Sequence, residues 1–223
     1  MKIPISWINE LVKIENIKLD FLIEKLTLGG FEVEDIVELE VGNQKQIALD
    51  ISATANRSDS LSIQGISAEI SSLLNAPIKN SDFLSKPDNW KKYIESKTKL
   101  IPSNSNYSIF LALIVENCSD KTIPKWITRK LINSGVTPCN NLLDFQNYIL
   151  LETGYPVCIY DFEKVCSKLE TSNFNLAISQ AQINQEFLAS NTNNYKLDES
   201  ILLIKANEIP ISIAGIIENQ EFA

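Results

Sequence analysis

The stretch from residue 140 to residue 161 reads NNLLDFQNYILLETGYPVCIYD. Apolar residues recur through it at the spacing of an α-helix, at Leu142, Leu143, Phe145, Ile149, Leu150 and Leu151. Gly154 is a typical residue just past a helix end, and Pro156 prevents the helix from continuing. The pattern therefore predicts a core helix that stops at Gly154.

Polar residues form a second stripe on the same predicted helix. Asn140, Asp144 and Asn147 lie at i, i+4 and i+7 and therefore project from one face. A buried polar group without a partner is costly, so these side chains need partners. Two interpretations stay open: the side chains fix neighbouring loops, or they converge on a small-molecule pocket.

The segment after the predicted helix returns the chain towards it. The residue before a proline favours extended backbone, so residues 157–159 are expected to run back beside the helix end. Asp161 is then in place to cap a further helix that reaches Leu169.

Composition describes an ordinary soluble globular chain. The 223 residues are 44% apolar and 22% charged, which allows one or two domains with a sizeable core. We see no apolar run of membrane-spanning length, and no signal or transit segment at the start. The net charge of −8 argues against a broad nucleic-acid surface but leaves room for a local RNA-binding patch.

The chain contains no histidine, which excludes His-based acid–base catalysis, Ser-His-Asp and Cys-His nucleophile systems, and His-containing zinc sites. The four cysteines form no C-x-x-C pair, so we predict that they are reduced and mostly buried, with no metal site. Hydrolysis would have to use water positioned by amides, by carboxylates or by the substrate.

The first 77 residues predict a small α+β unit. Ser6 and Asp20 are expected to cap two short helices, and two strands follow, joined by a short polar connection over residues 41–46, with a phase break near Asp35. Ser58 or Asp59 is expected to cap a third helix. Gly65 inside that helix is unfavourable relative to Ala, and it is tolerable if another backbone segment packs closely there.

The loop before this third helix contains Asn56, Arg57 and Asp59. Charges beside a helix start usually cap it or are solvated, so Arg57 and Asp59 are interpreted as a pair that fixes the loop, with a binding role as the alternative.

Residues 78–106 are interpreted as a polar linker with one short helix at residues 90–94. Its lysine cluster is either solvated or a phosphate contact: Lys91, Lys92, Lys97 and Lys99. A central strand is predicted at residues 107–117, a helix after Pro124, and short strands at residues 174–179, 186–189, 201–204 and 209–217. Ala214 and Gly215 lie in the middle of the last of these strands, where their small size indicates either a bulge or tight packing against a helix, or else the floor of a ligand site.

The fold class is therefore α+β. A small N-terminal α+β domain at residues 1–97 precedes a larger α+β domain at residues 98–223 with a mixed or antiparallel sheet.

Four segments, in order, resemble the bacterial-type phenylalanyl-tRNA synthetase β subunit: Met1–Val12, Leu26–Glu34, Asp50–Ile70 and Asn140–Asp161. The resemblance covers the amino-terminal part of that longer family and implies that residues 98–223 begin its editing module, truncated at the C-terminal end. An OB-type RNA-binding insertion of the family has no counterpart near residues 41–46.

The resemblance also implies the editing-pocket positions. They are Gln146 and Asn147 on the helix, Cys158 after the proline turn, and Ala214 with Gly215 as the floor. Asn140, Asp144, Asn56, Arg57 and Asp59 would be supporting polar residues.

Three positions depart from the family pattern. Gln146 stands where the family has Thr, Cys158 where it has His, and Glu218-Asn219 where it has Gly-Gly. Since a thiol is a poor hydrogen-bond partner for a phenol and Gln narrows the space, we expect weak or lost editing of Tyr-tRNA(Phe).

The function implied is the β subunit of phenylalanine–tRNA ligase, with roles in assembly and tRNA positioning in protein biosynthesis. Its partners would be the α subunit, in an α2β2 heterotetramer, and tRNA(Phe). ATP and magnesium would serve the complete enzyme, and this stretch holds no aminoacylation centre. A non-enzymatic RNA- or protein-binding module is the alternative, and an independent Cys158 hydrolase is disfavoured. The expected location is the plastid (the chloroplast stroma) or a bacterial cytoplasm, and no membrane is expected to be a partner.

Overall fold

The computed structural model of the chain describes residues 1–41, 44–79, 98–101, 110–115 and 122–222. The chain forms two compact units. Unit 1 comprises residues 1–85 and 120–157, and unit 2 comprises residues 86–119 and 158–223. The domain division at residues 97 and 98 stays a prediction. Over the described ranges, none of the helices has the length and apolar character needed to span a bilayer.

Unit 1 packs helices on a three-stranded antiparallel sheet of order β1-β3-β2. Its elements are β1 (Lys2–Pro4), α1 (Ile5–Leu11), α2 (Leu19–Leu28), β2 (Phe31–Val41), β3 (Gln44–Ala53), α3 (Ile63–Leu74), α4 (Lys125–Asn133) and α5 (Leu143–Thr153). One core joins them, and its largest fully buried side chains include Trp7, Phe31 and Leu26. The helix predicted to end at Gly154 is therefore confirmed as α5, with Gly154 at φ +78°.

The predicted helix caps in unit 1 are wrong. α1 begins at Ile5 directly after Pro4, so Ser6 lies inside the helix. Asp20 lies in the first turn of α2, two residues after the cap position at Lys18. Residues 58–60 form a short 3-10 helix before α3. Ser62 caps α3 instead, because its hydroxyl oxygen accepts from the Gly65 N–H at 3.0 Å.

In unit 1 the predicted phase break is confirmed, and the condition stated for Gly65 is met. The phase break appears as a bulge between Val33 and Asp35 in the β2–β3 pairing. A Cβ added at Gly65 would lie 2.0 Å from the Asp59 carbonyl oxygen, so another backbone segment does pack against α3 there. The connection between the strands is shorter than predicted, because β2 continues to Val41 and β3 begins at Gln44.

Unit 2 contains one helix and several short antiparallel sheets in its described part. The elements are β4 (Thr98–Ile101), β5 (Phe110–Leu113), α6 (Phe162–Leu169), β6 (Leu176–Gln180), β7 (Glu186–Leu188), β8 (Asn194–Lys196), β9 (Leu202–Ala206), β10 (Ile209–Ile213) and β11 (Ile217–Glu218). A four-stranded sheet has the order β11-β10-β9-β6, and β4–β5 and β7–β8 form hairpins. The α+β class is confirmed. Asp161 caps α6 as predicted, accepting from the Glu163 and Lys164 N–H groups.

The four-stranded sheet separates two apolar clusters. One contains Val165, Ile204, Ala206, Ile211 and Phe222. The other contains Ala181, Phe187, Ala189, Leu197, Leu203 and Ile213. Adjacent residues of β9 serve different clusters because successive side chains of a strand point to opposite faces.

Several strand predictions in unit 2 need correction. The strand predicted over residues 209–217 is broken by a turn at residues 214–216, so Ala214 and Gly215 are turn residues, and Gly215 has φ +70°. Residues 98–101 form β4 within the predicted linker. Leu111 and Leu113 are exposed, so β5 is not a strand buried on both faces. Residues 90–94 and Lys91, Lys92 and Lys97 lie outside the described ranges.

Candidate functional site

The predicted site residues divide between the two compact units. Gln146, Asn147 and the supporting polar residues belong to unit 1. Cys158, Ala214 and Gly215 belong to unit 2. A complete pocket made of all of them stays a prediction.

Asp144 fixes the loop that leads into α5. Its side chain is fully buried, and its two oxygens accept from the Cys139 N–H at 2.8 Å and the Asn140 N–H at 2.9 Å. Asn140 lies before the helix with φ +57° and not on its face. Hydrogen bonds to a charged acceptor are stronger than neutral ones, so this carboxylate holds the loop. For Asp144 the loop-fixing interpretation is therefore confirmed.

Gln146 and Asn147 are consecutive residues of α5, and their side chains differ in hydrogen bonding. The Gln146 Nε2 donates to the Val157 carbonyl oxygen at 2.9 Å, which ties the returning chain to the helix as expected. Asn147 is half-buried, and its side chain makes no hydrogen bond within the described part of the chain. Asn147 is therefore the amide that a ligand could engage.

Arg57 forms ion pairs with two carboxylates, one in the loop before α3 and one on α3 itself. Its guanidinium donates to both Asp59 oxygens, at 3.1 and 3.0 Å, and its Nη2 lies 2.5 Å from the Glu69 Oε1. The hydrogen bond from Arg57 lowers the pKa of Asp59. The guanidinium also lies 5.2 Å from the centre of the Phe31 ring. These contacts fix the loop, as the first interpretation predicts.

Asn56 is engaged in the same loop. Its Oδ1 accepts from the Thr54 hydroxyl at 2.6 Å, so its amide oxygen serves a local turn.

The Cys158 thiol lies in a polar neighbourhood within unit 2. Burial raises its pKa, and the negative charge of Glu218 raises it further. Tyr160 lies near the thiol and near Ser212, and burial raises the pKa of its phenol. Since the thiolate is the nucleophilic form of cysteine, this environment makes Cys158 a weak nucleophile.

Tyr160, Ser212 and Glu218 were not among the predicted site residues. Ser212 and Glu218 are register partners on β10 and β11, so their side chains share one face of the hairpin. The Tyr160 and Ser212 hydroxyls are buried, and neither has a partner at hydrogen-bonding geometry among the described residues. The departure from Gly-Gly at Glu218 was the sequence signal for this cluster, while Ser212 resembled an ordinary strand residue.

A shallow groove of about 500 Å³ lies beside the 214–216 turn in unit 2. Its walls include Tyr195, Leu197, Ile213 and Ile216. The Tyr195 hydroxyl oxygen accepts from the Asn191 Nδ2 at 2.9 Å, which lowers the pKa of the phenol. The predicted floor residues thus border an apolar surface and do not lie inside a strand.

The cysteines are less buried than predicted. Cys139 is exposed, and Cys158 and Cys166 are half-buried free thiols. Cys118 lies outside the described ranges. Within those ranges, no three His, Cys, Asp or Glu side chains are arranged to hold a metal ion.

Comparison with known proteins identifies the family. The B3/4 domain family matches residues 106–223. The chain is 59% identical, over 99% of its length, to the chloroplastic phenylalanine–tRNA ligase β subunit of Phaeodactylum tricornutum, and covers 31% of that protein. It is 35% identical over its whole length to the Porphyra purpurea chloroplastic β subunit, of which it also covers 31%.

A bacterial relative extends the match. The phenylalanine–tRNA ligase β subunit of Trichormus variabilis is 30% identical over 89% of this chain, which covers 24% of that protein. The chain thus spans less than a third of the length of these relatives. It belongs to the B3/4 domain family, as a relative of the phenylalanine–tRNA ligase β subunits of plastids and bacteria.

Proposed function

We propose that this chain acts as part of the β subunit of a phenylalanine–tRNA ligase. The observation that carries the proposal is the 59% identity over nearly the whole chain to a protein of that name. The four segments that resemble the family lie in both predicted domains. The resemblance is therefore not limited to a single domain, which supports the same function for this chain.

In this proposal the chain contributes assembly and tRNA positioning. Its partners are the α subunit, in an α2β2 heterotetramer, and tRNA(Phe). ATP and magnesium serve amino-acid activation in the complete enzyme, at a centre outside this stretch. This division agrees with the chain's lack of histidine and with the structural use of its buried carboxylate Asp144.

The test is co-purification of the full-length protein followed by aminoacylation. We expect a separate chain with a class II aminoacylation core to elute with it, and the complex to charge tRNA(Phe) with phenylalanine. A protein that elutes alone, binds RNA and charges no tRNA would support the alternative of a non-enzymatic binding module.

We further propose that post-transfer editing by this chain is weak or lost. The Gln146 amide donates to the Val157 carbonyl oxygen, and burial, together with the charge of Glu218, raises the pKa of the Cys158 thiol. Neither group is then a suitable base or a strong partner for a phenol. Of the predicted pocket residues on α5, Asn147 has the available amide.

Deacylation of Tyr-tRNA(Phe) by the full-length complex tests this second proposal. We expect hydrolysis little faster than the uncatalysed rate, and no further decrease in the Asn147→Ala variant. Rapid hydrolysis that falls in Asn147→Ala would refute weak editing and would leave the ligase proposal intact.

The proposed location is the plastid stroma. The two algal relatives are chloroplastic proteins, whereas the Trichormus relative is bacterial. Finding the reading frame in plastid DNA would support this location, and finding it in a bacterial chromosome would contradict it.

A further inference from the structure

One segment of this acidic chain carries only positive charges. The chain has 28 acidic and 20 basic residues, yet residues 121–143 contain no Asp or Glu. The basic residues in the segment are Lys121, Lys125, Arg129 and Lys130. Three of these four cations lie on helix α4, so this helix is positively charged although the chain as a whole is negatively charged.

The three cations of α4 have different surroundings. Lys130 is a structural cation, because its Nζ lies 2.6 Å from the Glu10 Oε2 and 4.6 Å from the centre of the Trp7 ring. Lys125 and Arg129 are exposed and form no ion pair within the described part of the chain. They are four residues apart, so they are neighbours on one side of the helix.

An aromatic ring accompanies these two exposed cations. Trp126 is 41% exposed, and its other side packs edge-on against Tyr148, with the ring centres 5.2 Å apart at 87°. The ring is thus held in place while part of it faces solvent. The opposite side of α4 is anchored by Ile127 and Leu131, which are buried in the core of unit 1.

Exposed cations beside an anchored, partly exposed indole suit a nucleic-acid strand. Cations bind phosphates by releasing counterions, and an aromatic face stacks on any base. Both features are local, so they agree with a net charge of −8 that argues against a broad nucleic-acid surface.

We propose that the solvent face of α4 binds the sugar–phosphate backbone of RNA, with Lys125 and Arg129 on phosphates and Trp126 against an unpaired base. The inference deepens the proposed ligase function, on which it rests, by naming the surface that meets tRNA. Binding of an acidic protein surface to the same helix is the competing outcome of the test.

The test measures filter binding of a tRNA(Phe) transcript to the full-length chain with its partner subunit, from 50 to 200 mM salt. In the Lys125→Gln/Arg129→Gln double variant we expect the dissociation constant to rise about tenfold near 100 mM salt. The slope of log affinity against log salt is expected to decrease by about 1 for each residue replaced. Circular dichroism melting should match the wild type, because both side chains are exposed.

A double variant with the same charge change is the control. Lys13 and Lys18 are exposed in the same unit, and Lys13→Gln/Lys18→Gln is expected to leave the affinity and the salt slope unchanged. Equal affinity and slope for wild type and the α4 variant would overturn the inference. So would loss of the partner subunit with unchanged tRNA affinity, which would assign α4 to a protein interface.

The two proposals fail in distinguishable ways. A wild-type complex that charges no tRNA(Phe) refutes the ligase function, whereas the filter-binding comparison still decides whether α4 binds RNA.

Discussion

Asp144 shows how one buried side chain determines the shape of the segment before it. A fully buried carboxylate is tolerated because two backbone N–H groups donate to it. Those N–H groups belong to the turn at Cys139 and Asn140, where the backbone reaches φ +57°. The entry angle of α5, and with it the direction of Asn147, therefore depends on this single acceptor.

The Asp144→Asn variant is expected to lower the free energy of unfolding by about 2–4 kcal/mol. The NH2 group of the new amide cannot accept a hydrogen bond, so one of the two backbone N–H groups loses its partner. Urea denaturation measures the loss. The matched control is Asp20→Asn in the exposed first turn of α2, for which we expect a change below about 0.5 kcal/mol. Equal stability of the Asp144→Asn variant and the wild type would contradict the role assigned to this carboxylate.

The reactivity of Cys158 should depend on its acidic neighbour. Burial and the charge of Glu218 both raise the thiol pKa, so removing that charge must lower it. We expect the Glu218→Gln variant to react faster with iodoacetamide near pH 8, because more thiolate is present, and the difference to vanish at high pH, where both thiols are ionised. Peptide mapping by mass spectrometry follows each cysteine separately, with exposed Cys139 as the internal reference. An unchanged or slower rate for Cys158 would show that Glu218 does not act on the thiol.

At the scale of elements, a cation surrounded by aromatic rings joins three helices of unit 1. The Lys130 Nζ lies 4.6 Å from the Trp7 ring centre, 5.5 Å from that of Trp126 and 5.7 Å from that of Tyr148. The Trp7 and Tyr148 rings are stacked with centres 5.4 Å apart. Because these residues come from α1, α4 and α5, the cluster fixes the packing of the helix that carries Asn147.

Replacing Lys130 with Met keeps the aliphatic stem and removes the cation. We expect a loss of about 1–2 kcal/mol in unfolding free energy, because the site is largely desolvated, and most of the stability should return in Lys130→Arg. Urea denaturation followed by circular dichroism measures both variants. Equal losses in the two would indicate that side-chain fit, and not the positive charge, stabilises the junction.

Periodicity predicted the elements better than their ends. Apolar spacing and Gly154 were sufficient to place α5, and Asp161 was a correct cap because no competing polar residue adjoins it. Before α3, residues 58–62 offer four candidate caps (Ser58, Asp59, Ser60 and Ser62). The structure uses the last of them, whose hydroxyl oxygen accepts from the Gly65 N–H, and no sequence pattern distinguished it. The short, polar strand β8 has no apolar alternation, so no sequence pattern marked it.

The role of a site residue could be predicted only where its side chain forms hydrogen bonds with backbone close by in the sequence. The loop-fixing role of Asp144 follows from its position four residues after Asn140. The neighbours of Cys158 depend on the register of β10 with β11, which brings Glu218 opposite Ser212. A one-residue shift would reverse that face, and the sequence alone does not determine the register.

At the scale of the whole molecule, the two units have separate cores. The core of unit 1 contains Ile66 and Trp7, and the clusters of unit 2 contain Leu203 and Ile204, with no shared members among the residues described. Each unit is therefore expected to open as its own cooperative group.

Hydrogen exchange can test this independence. We expect Leu203→Ala, which leaves a cavity at a fully buried position, to reduce amide protection in β6, β9 and β10 while α3 and β3 keep theirs. Ile66→Ala is the reciprocal variant in unit 1, with the opposite pattern expected. Equal loss of protection in both units after either substitution would show one cooperative body.

The aromatic junction around Lys130 gives the protein an internal optical reporter. Two of its three tryptophans, Trp7 and Trp126, lie within this cluster, one buried and one half in solvent. Two of the three emitting side chains therefore report on one place, where α1, α4 and α5 meet. Binding of a molecule to α4, or loosening of the contact between these helices, is expected to change the tryptophan fluorescence, so no added dye is needed.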